Sequence, residues 1–158
     1  MYLIGDAGAP AASGEPVLVA LRRELQTPGG QQVVVFLGDN AYPHGLPSTN
    51  SAERSEAERR LATQVDVITS SGVSGYFVPG NHDWAKSGTQ GWAAIRRQEQ
   101  FIDSAGGGRV LLLPKDGCPG PAAVDIGSRV RLVLLDTQWW LHGGPKPQGT
   151  GSSCAAHT

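Results

Sequence analysis

The chain opens on a short apolar run, MYLIG, and continues into EPVLVALRREL, whose apolar residues recur at three- and four-residue spacing until TPGG stops them. The first predicts a strand and the second a helix. QQVVVFLG is an unbroken, β-branched run that ends at Gly38-Asp39, the pattern of a strand covered on both faces. After a loop punctuated by Pro and Gly comes SAERSEAERRLATQVDVITSSG, in which Leu61, Val65 and Ile68 share one helical face. SGYFVPGNHD predicts a third strand running into a Gly-Asn turn, and GWAAIRRQEQFIDSAGGG a helix closed by glycines. The order is β-α-β-α-β-α, which predicts an α/β protein with a parallel sheet. Beyond it, RVLLLP, AAVDIG and RVRLVLLD read as strands with no helix between them, either antiparallel additions or a second layer. Residues 143–158 are rich in Gly, Pro, Ser and Ala without periodicity and read as loop or disorder.

At 158 residues the chain has room for one domain with a core. Hydrophobic residues at 39% and charged residues at 17% place it among folded proteins. With 13 basic against 14 acidic residues there is no general excess of positive charge, so nucleic acid is not an expected partner. The apolar runs are far shorter than the roughly 18 to 20 residues that cross a bilayer, so no membrane span is expected. No basic stretch precedes the first strand, so no signal peptide is visible and the compartment stays open. Cys118 and Cys154 lack the close spacing of a metal or redox pair; two separate thiols is the plainer reading, and a disulfide in an oxidising compartment the other.

The chemistry collects where strands end. IGDAG, LGDN and PGNHD each place glycine and then Asp or Asn directly after an apolar run. In open α/β sheets the carboxyl ends of strands line the ligand crevice, so Asp6, Asp39, Asn81 and His82 are expected to converge. Taken singly, such residues are helix caps or turn formers. Taken together with the phenol of Tyr42, two carboxylates and a carboxamide in one crevice call for a cation among them. Oxygen donors of this kind suit hard or borderline ions, and a bridging carboxylate would let a pair of ions clamp a phosphoryl group.

GDAG (Gly5 to Gly8), GDNAY (Gly38 to Tyr42) and GNHD (Gly80 to Asp83) follow in the order of a known family's motifs, GD-x-G, GD-x-x-Y and GNH with an acidic residue. The chain thus resembles the calcineurin-like metallophosphoesterases, in the branch similar to purple acid phosphatases, over residues 1–142. The resemblance implies a four-layer α/β/β/α sandwich and hydrolysis of a phosphate ester at a dinuclear centre of iron with zinc, manganese or a second iron. It implies that Asp6 and Tyr42 bind the first ion, that Asp39 bridges, and that Asn81 binds the second ion and faces the substrate. His82 would contact the phosphate and protonate the leaving group, and Asp83 would orient that loop or the imidazole. His44 is a further candidate at the substrate rim, with Asn40, unless both serve turn geometry.

The family's V-x-x-H and GH-x-H segments, which carry three histidine ligands, do not occur here, and His142 and His157 lack their flanking residues. The chain also begins directly on its first strand and stops soon after RLVLLD. The expectation is therefore a fragment, incomplete at the C-terminus, with impaired activity, exposed apolar sheet edges and marginal stability. One alternative is an inactive metal- or phosphate-binding module. A nucleotide-binding protein using Gly5 and Gly8 fits less well, since G-x-G-x-x-G is missing and Asp6 would repel a pyrophosphate.

Overall fold

In the computed structural model, which describes residues 1–27, 29–148 and Cys154, the alternating units build a parallel sheet. Strands β1 (Tyr2–Ile4), β2 (Val33–Phe36), β3 (Ser74–Phe77) and β4 (Val110–Leu112) pair in that order, each with its neighbour in parallel. Parallel neighbours need crossover connections; α1 (Pro16–Leu25), α2 (Arg54–Ser70) and α3 (Gly91–Gly106) supply them. RVLLLP, read only as one of the later strands, is the fourth strand of this sheet.

All three helices cover one face. Leu18 and Leu21 of α1, Leu61 and Ile68 of α2, and Ile95 and Ile102 of α3 join Val34, Phe36, Phe77, Val110 and Leu112 in one core. Phe36 and Phe77, from neighbouring strands, stack with ring centroids 4.5 Å apart. The other face carries Val33 and Val35, which a hairpin of β5 (Ala122–Ile126) and β6 (Val130–Leu134) covers through Leu134, Val124 and Leu132. Strand β2 is buried at all four positions because helices lie over one side and the hairpin over the other. The result is three layers: helices, parallel sheet, antiparallel hairpin. Leu3, in register with Val35 on the hairpin side, lies beyond its reach and is 54% exposed.

A short helix, α4 (Thr137–Leu141), follows the strand read over RVRLVLLD, at residues to which the sequence assigned no element. Asp136 starts it: its carboxylate accepts the Trp139 backbone N–H at 3.1 Å, a side-chain cap. The same carboxylate accepts the Trp84 indole N–H at 2.8 Å. Trp84 and Trp139 are core residues, while Trp140 is exposed.

Cys118 and Cys154 form a disulfide, with Cα atoms 5.3 Å apart, which corrects the reading of two separate thiols. Residues 143–148 contain no helix or strand, yet Lys146 ties them to the body by donating to the Trp139 carbonyl and sitting 4.5 Å from the centre of its ring. The rest of the predicted loop or disorder, His157 included, lies outside the described residues, Cys154 excepted. Among the described residues no helix is long and apolar enough to cross a membrane.

The disulfide spans 36 positions, and in the chain-entropy account closing such a loop is worth roughly 4 kcal/mol. Reduction with dithiothreitol is therefore expected to lower the urea midpoint and the melting temperature without changing the far-UV spectrum at low temperature. An unchanged midpoint would show that the cross-link does not constrain the unfolded chain.

Candidate active site

The site follows from strand register. Ile4, Phe36 and Phe77 stand side by side across β1, β2 and β3, so the three turns after them leave the sheet at one edge. Asp6 and Asp39 both take the left-handed backbone conformation there, with φ of 55° and 54°. That conformation is unfavourable for most side chains and tolerated by aspartate. Two glycine contacts make the crowding possible: a Cβ on Gly8 would overlap the Asp39 carbonyl and the Ala41 amide, and one on Gly80 would overlap the Asp39 amide. The turns are thus packed backbone against backbone.

Tyr42 draws the first two turns together. Its hydroxyl lies 2.9 Å from Asp6 Oδ1 and 3.1 Å from Asp39 Oδ2. Burial, with the hydrogen bonds to Asp6 and Asp39 and their charges, raises the phenol far above its usual range. One hydroxyl proton serves two carboxylates, so at any moment one of the two oxygen pairs faces lone pair to lone pair. The cluster is short of positive charge, which is the condition a bound cation would relieve.

The third turn is held by Asp83, which is fully buried. Its carboxylate accepts the backbone N–H groups of Gly80 at 2.8 Å, Asn40 at 3.0 Å and Ala41 at 3.0 Å, and the Asn40 side-chain amide at 3.1 Å. Burial pushes this carboxyl up to about 7, opposed by those backbone donors and assisted by the charge of Asp39. Asp83 holds the loop; the His82 imbalance of two ring nitrogens is settled elsewhere, by Nδ1 lying 2.8 Å from the Pro43 carbonyl. A carbonyl only accepts, so Nδ1 carries the hydrogen in this contact. The His82 backbone N–H donates to Asp39 Oδ1 at 3.0 Å, and the ring packs 4.2 Å from Tyr42.

Asp6, Asp39 and Asn81 line a polar cleft of about 250 Å³, which Gly38 and Gly80 also border. The structure therefore brings Asp6, Asp39, Tyr42, Asn81 and His82 to one edge. His44 is exposed and lines a neighbouring pocket instead. Asn40 is fully buried and bonded to Asp83 and to the Val78 carbonyl at 2.8 Å; it serves turn geometry and is not at the rim. His142 is buried against Trp84 and does not border the cleft.

Other contributors do not stand out in the motifs. Thr137 and Gln138 form the far wall of the cleft. Gln64 on α2 and Gln98 on α3, both fully buried, donate to the Asn40 carbonyl at 2.8 Å and the Asp83 carbonyl at 3.1 Å. A signal for them exists: each sits three residues after one core residue and four before another, Leu61 and Ile68 or Ile95 and Ile102, so a polar side chain occupies the buried face.

Comparison with protein-family models, with curated proteins and with solved structures returns no match in any of the three. Among the described residues no group of three or more His, Cys, Asp or Glu side chains is placed to hold a metal ion. Any ion at this edge would thus depend on Tyr42 and Asn81 as much as on Asp6 and Asp39.

Replacing Asp83 with alanine removes the acceptor of four N–H groups, of which the Asn40 and Ala41 backbone donors are buried and left without a partner, and is expected to cost about 3 kcal/mol or more in chemical denaturation. A loss below about 1 kcal/mol would mean the loops hold without it. A second test concerns Asp136, whose carboxyl burial pushes up to about 7 although the Trp84 and Trp139 N–H groups oppose the shift. Its folded value lies above its unfolded one, so the folded state binds the extra proton and this contribution to stability is lost as pH rises from about 4 to 7. Asp136→Asn removes the titration and keeps only one acceptor oxygen, so either the Trp84 N–H or the Trp139 cap is lost and the variant is less stable at every pH. It is expected to flatten the pH dependence of the unfolding free energy across that window.

Proposed function

We propose that the chain is a metal-dependent phosphoesterase of the calcineurin-like type, similar to the purple acid phosphatase branch, which hydrolyses a phosphate ester. The observation that carries the reading is the sharing of one Tyr42 hydroxyl by the Asp6 and Asp39 carboxylates at the ends of adjacent parallel strands, with Asn81 and His82 on the third turn. In this reading the hairpin belongs to the second sheet of an α/β/β/α sandwich.

Asp6 and Tyr42 would hold a first ion, Asp39 both, and Asn81 the second, an iron paired with zinc, manganese or another iron. The all-oxygen, charge-deficient donor set fits such ions. When bound, they supply Lewis acidity toward the phosphate and the attacking water. The protein's own part is positional and protonic. Asp83 fixes the turn that carries Asn81 and His82, so both meet the substrate without reorganising. With His82 Nδ1–H committed to Pro43, Nε2 is the nitrogen left to take up a second proton; from the imidazolium so formed it would donate that proton to the departing alkoxide, leaving the neutral ring with its hydrogen on Nδ1.

A second reading, an inactive metal- or phosphate-binding module, is favoured by one observation: Asp39 and Asn81 alone would serve the second ion.

Metal analysis after incubation with iron, zinc or manganese, together with turnover of p-nitrophenyl phosphate, separates the two. Two bound equivalents with turnover are expected, and Asp39→Asn is expected to lower turnover by about a hundredfold or more. One loosely held equivalent without turnover supports the module. Metal uptake that Asp39→Asn leaves unchanged overturns both.

A further inference from the structure

Beside the carboxylate pair lies a second pocket, of about 330 Å³, at the lower end of the range that holds small organic ligands. Tyr42, Pro43, Pro47, Ala52 and Ala57 give it apolar walls. Of the ionisable groups at its border, Glu56 and Arg60 are paired within the protein, while Glu53 and His44 have no ion-pair partner among the described residues. Glu56 pairs with Arg59 and Arg60, the Arg60 guanidinium also donates to the Tyr42 carbonyl at 2.9 Å, and Glu53 accepts the Ser51 hydroxyl at 2.7 Å. An occupant therefore meets mainly hydrocarbon, with the Glu53 carboxylate and the His44 imidazole at the border, which favours an uncharged group over an anionic one. A polar sugar would exchange its water for few partners here, whereas a flat hydrocarbon ring exchanges water for apolar contact.

The pocket shares no lining residue with the polar cleft, but two of its walls touch the candidate site directly, and this adjacency sets what the occupant is attached to. Tyr42 lines the pocket while its hydroxyl reaches Asp6 and Asp39. Pro43 likewise lines the pocket and holds the His82 imidazole through its carbonyl. We infer that this pocket receives the organic group of the ester, and that this group is an uncharged aryl or arylalkyl moiety. The inference rests on the phosphoesterase reading and names its substrate class. The ester oxygen would lie between the two spaces, with the phosphate at the carboxylate edge and the ring behind Tyr42.

The test uses the full chain with manganese and two esters whose leaving alcohols are close in acidity, benzyl phosphate and methyl phosphate. Their kcat/KM ratio then reports the ring's binding and not the ease of bond cleavage. Benzyl phosphate is expected to be favoured by about tenfold or more, the worth of burying a phenyl ring. Ala52→Trp, which fills the pocket from an exposed wall position, is expected to bring the ratio towards one. Independently, 2-naphthol, which carries no phosphate, is expected to shift the amide resonances of Ala52 and Ala57 in the wild-type protein. Equal ratios for the two esters, or naphthol without shifts at those amides, overturn the inference. Naphthol shifts without turnover of either ester count against the phosphoesterase reading while upholding the pocket's preference for an apolar ring.

Discussion

The candidate site depends on one buried carboxylate. Asp83 gathers N–H groups from two turns that follow different strands, those of Asn40 and Ala41 after β2 and that of Gly80 after β3. A buried charge without partners would be prohibitive, and backbone amides without acceptors nearly so, but each satisfies the other. Around that exchange the remaining geometry is secondary. Gly80 approaches Asp39 because the turns are clamped together, Asp39 can then meet Tyr42, and Tyr42 can meet Asp6. Gln64 and Gln98 extend the clamp outward, joining the loop carbonyls to the helices that pack on the sheet.

Much of this was legible in the letters. The unbroken VVVF run announced a strand enclosed on both sides, and the repeated glycine-acid endings announced which edge of the sheet would carry polar chemistry. What stayed illegible involved relations between distant residues. Nothing local says that Asp83 points inward to backbone amides while Asp39, also after a glycine turn, remains half-buried among oxygens. Helix α4 was hidden for a different reason: five residues are too few to show a helical period, and only the capping geometry of Asp136 turns the chain. The sequence left Cys118 and Cys154 open between two thiols and a disulfide, because spacing in sequence does not specify distance in space.

The cleft beside the Tyr42 hydroxyl and the pocket along its side chain differ in character. On one side the donors are anionic oxygens short of positive charge; on the other, hydrocarbon predominates and Glu56 is paired with Arg60. A single side chain that is half ring and half hydroxyl forms the partition, which suits an amphipathic residue whose two ends prefer different surroundings.

The base of the hairpin is closed by one bond, the Asp136 backbone N–H donating to the Pro119 carbonyl at 3.0 Å. The chain therefore leaves the body at Pro119, runs out along β5, returns along β6 and re-enters at nearly the point it left. Topologically the hairpin is a side branch: its tip, around Gly127, can lengthen or shorten without displacing Thr137 and Gln138, which stand just past the closure on the cleft wall. The fold thus separates a region free to vary in length from one whose position is pinned, with a single peptide hydrogen bond as the border between them.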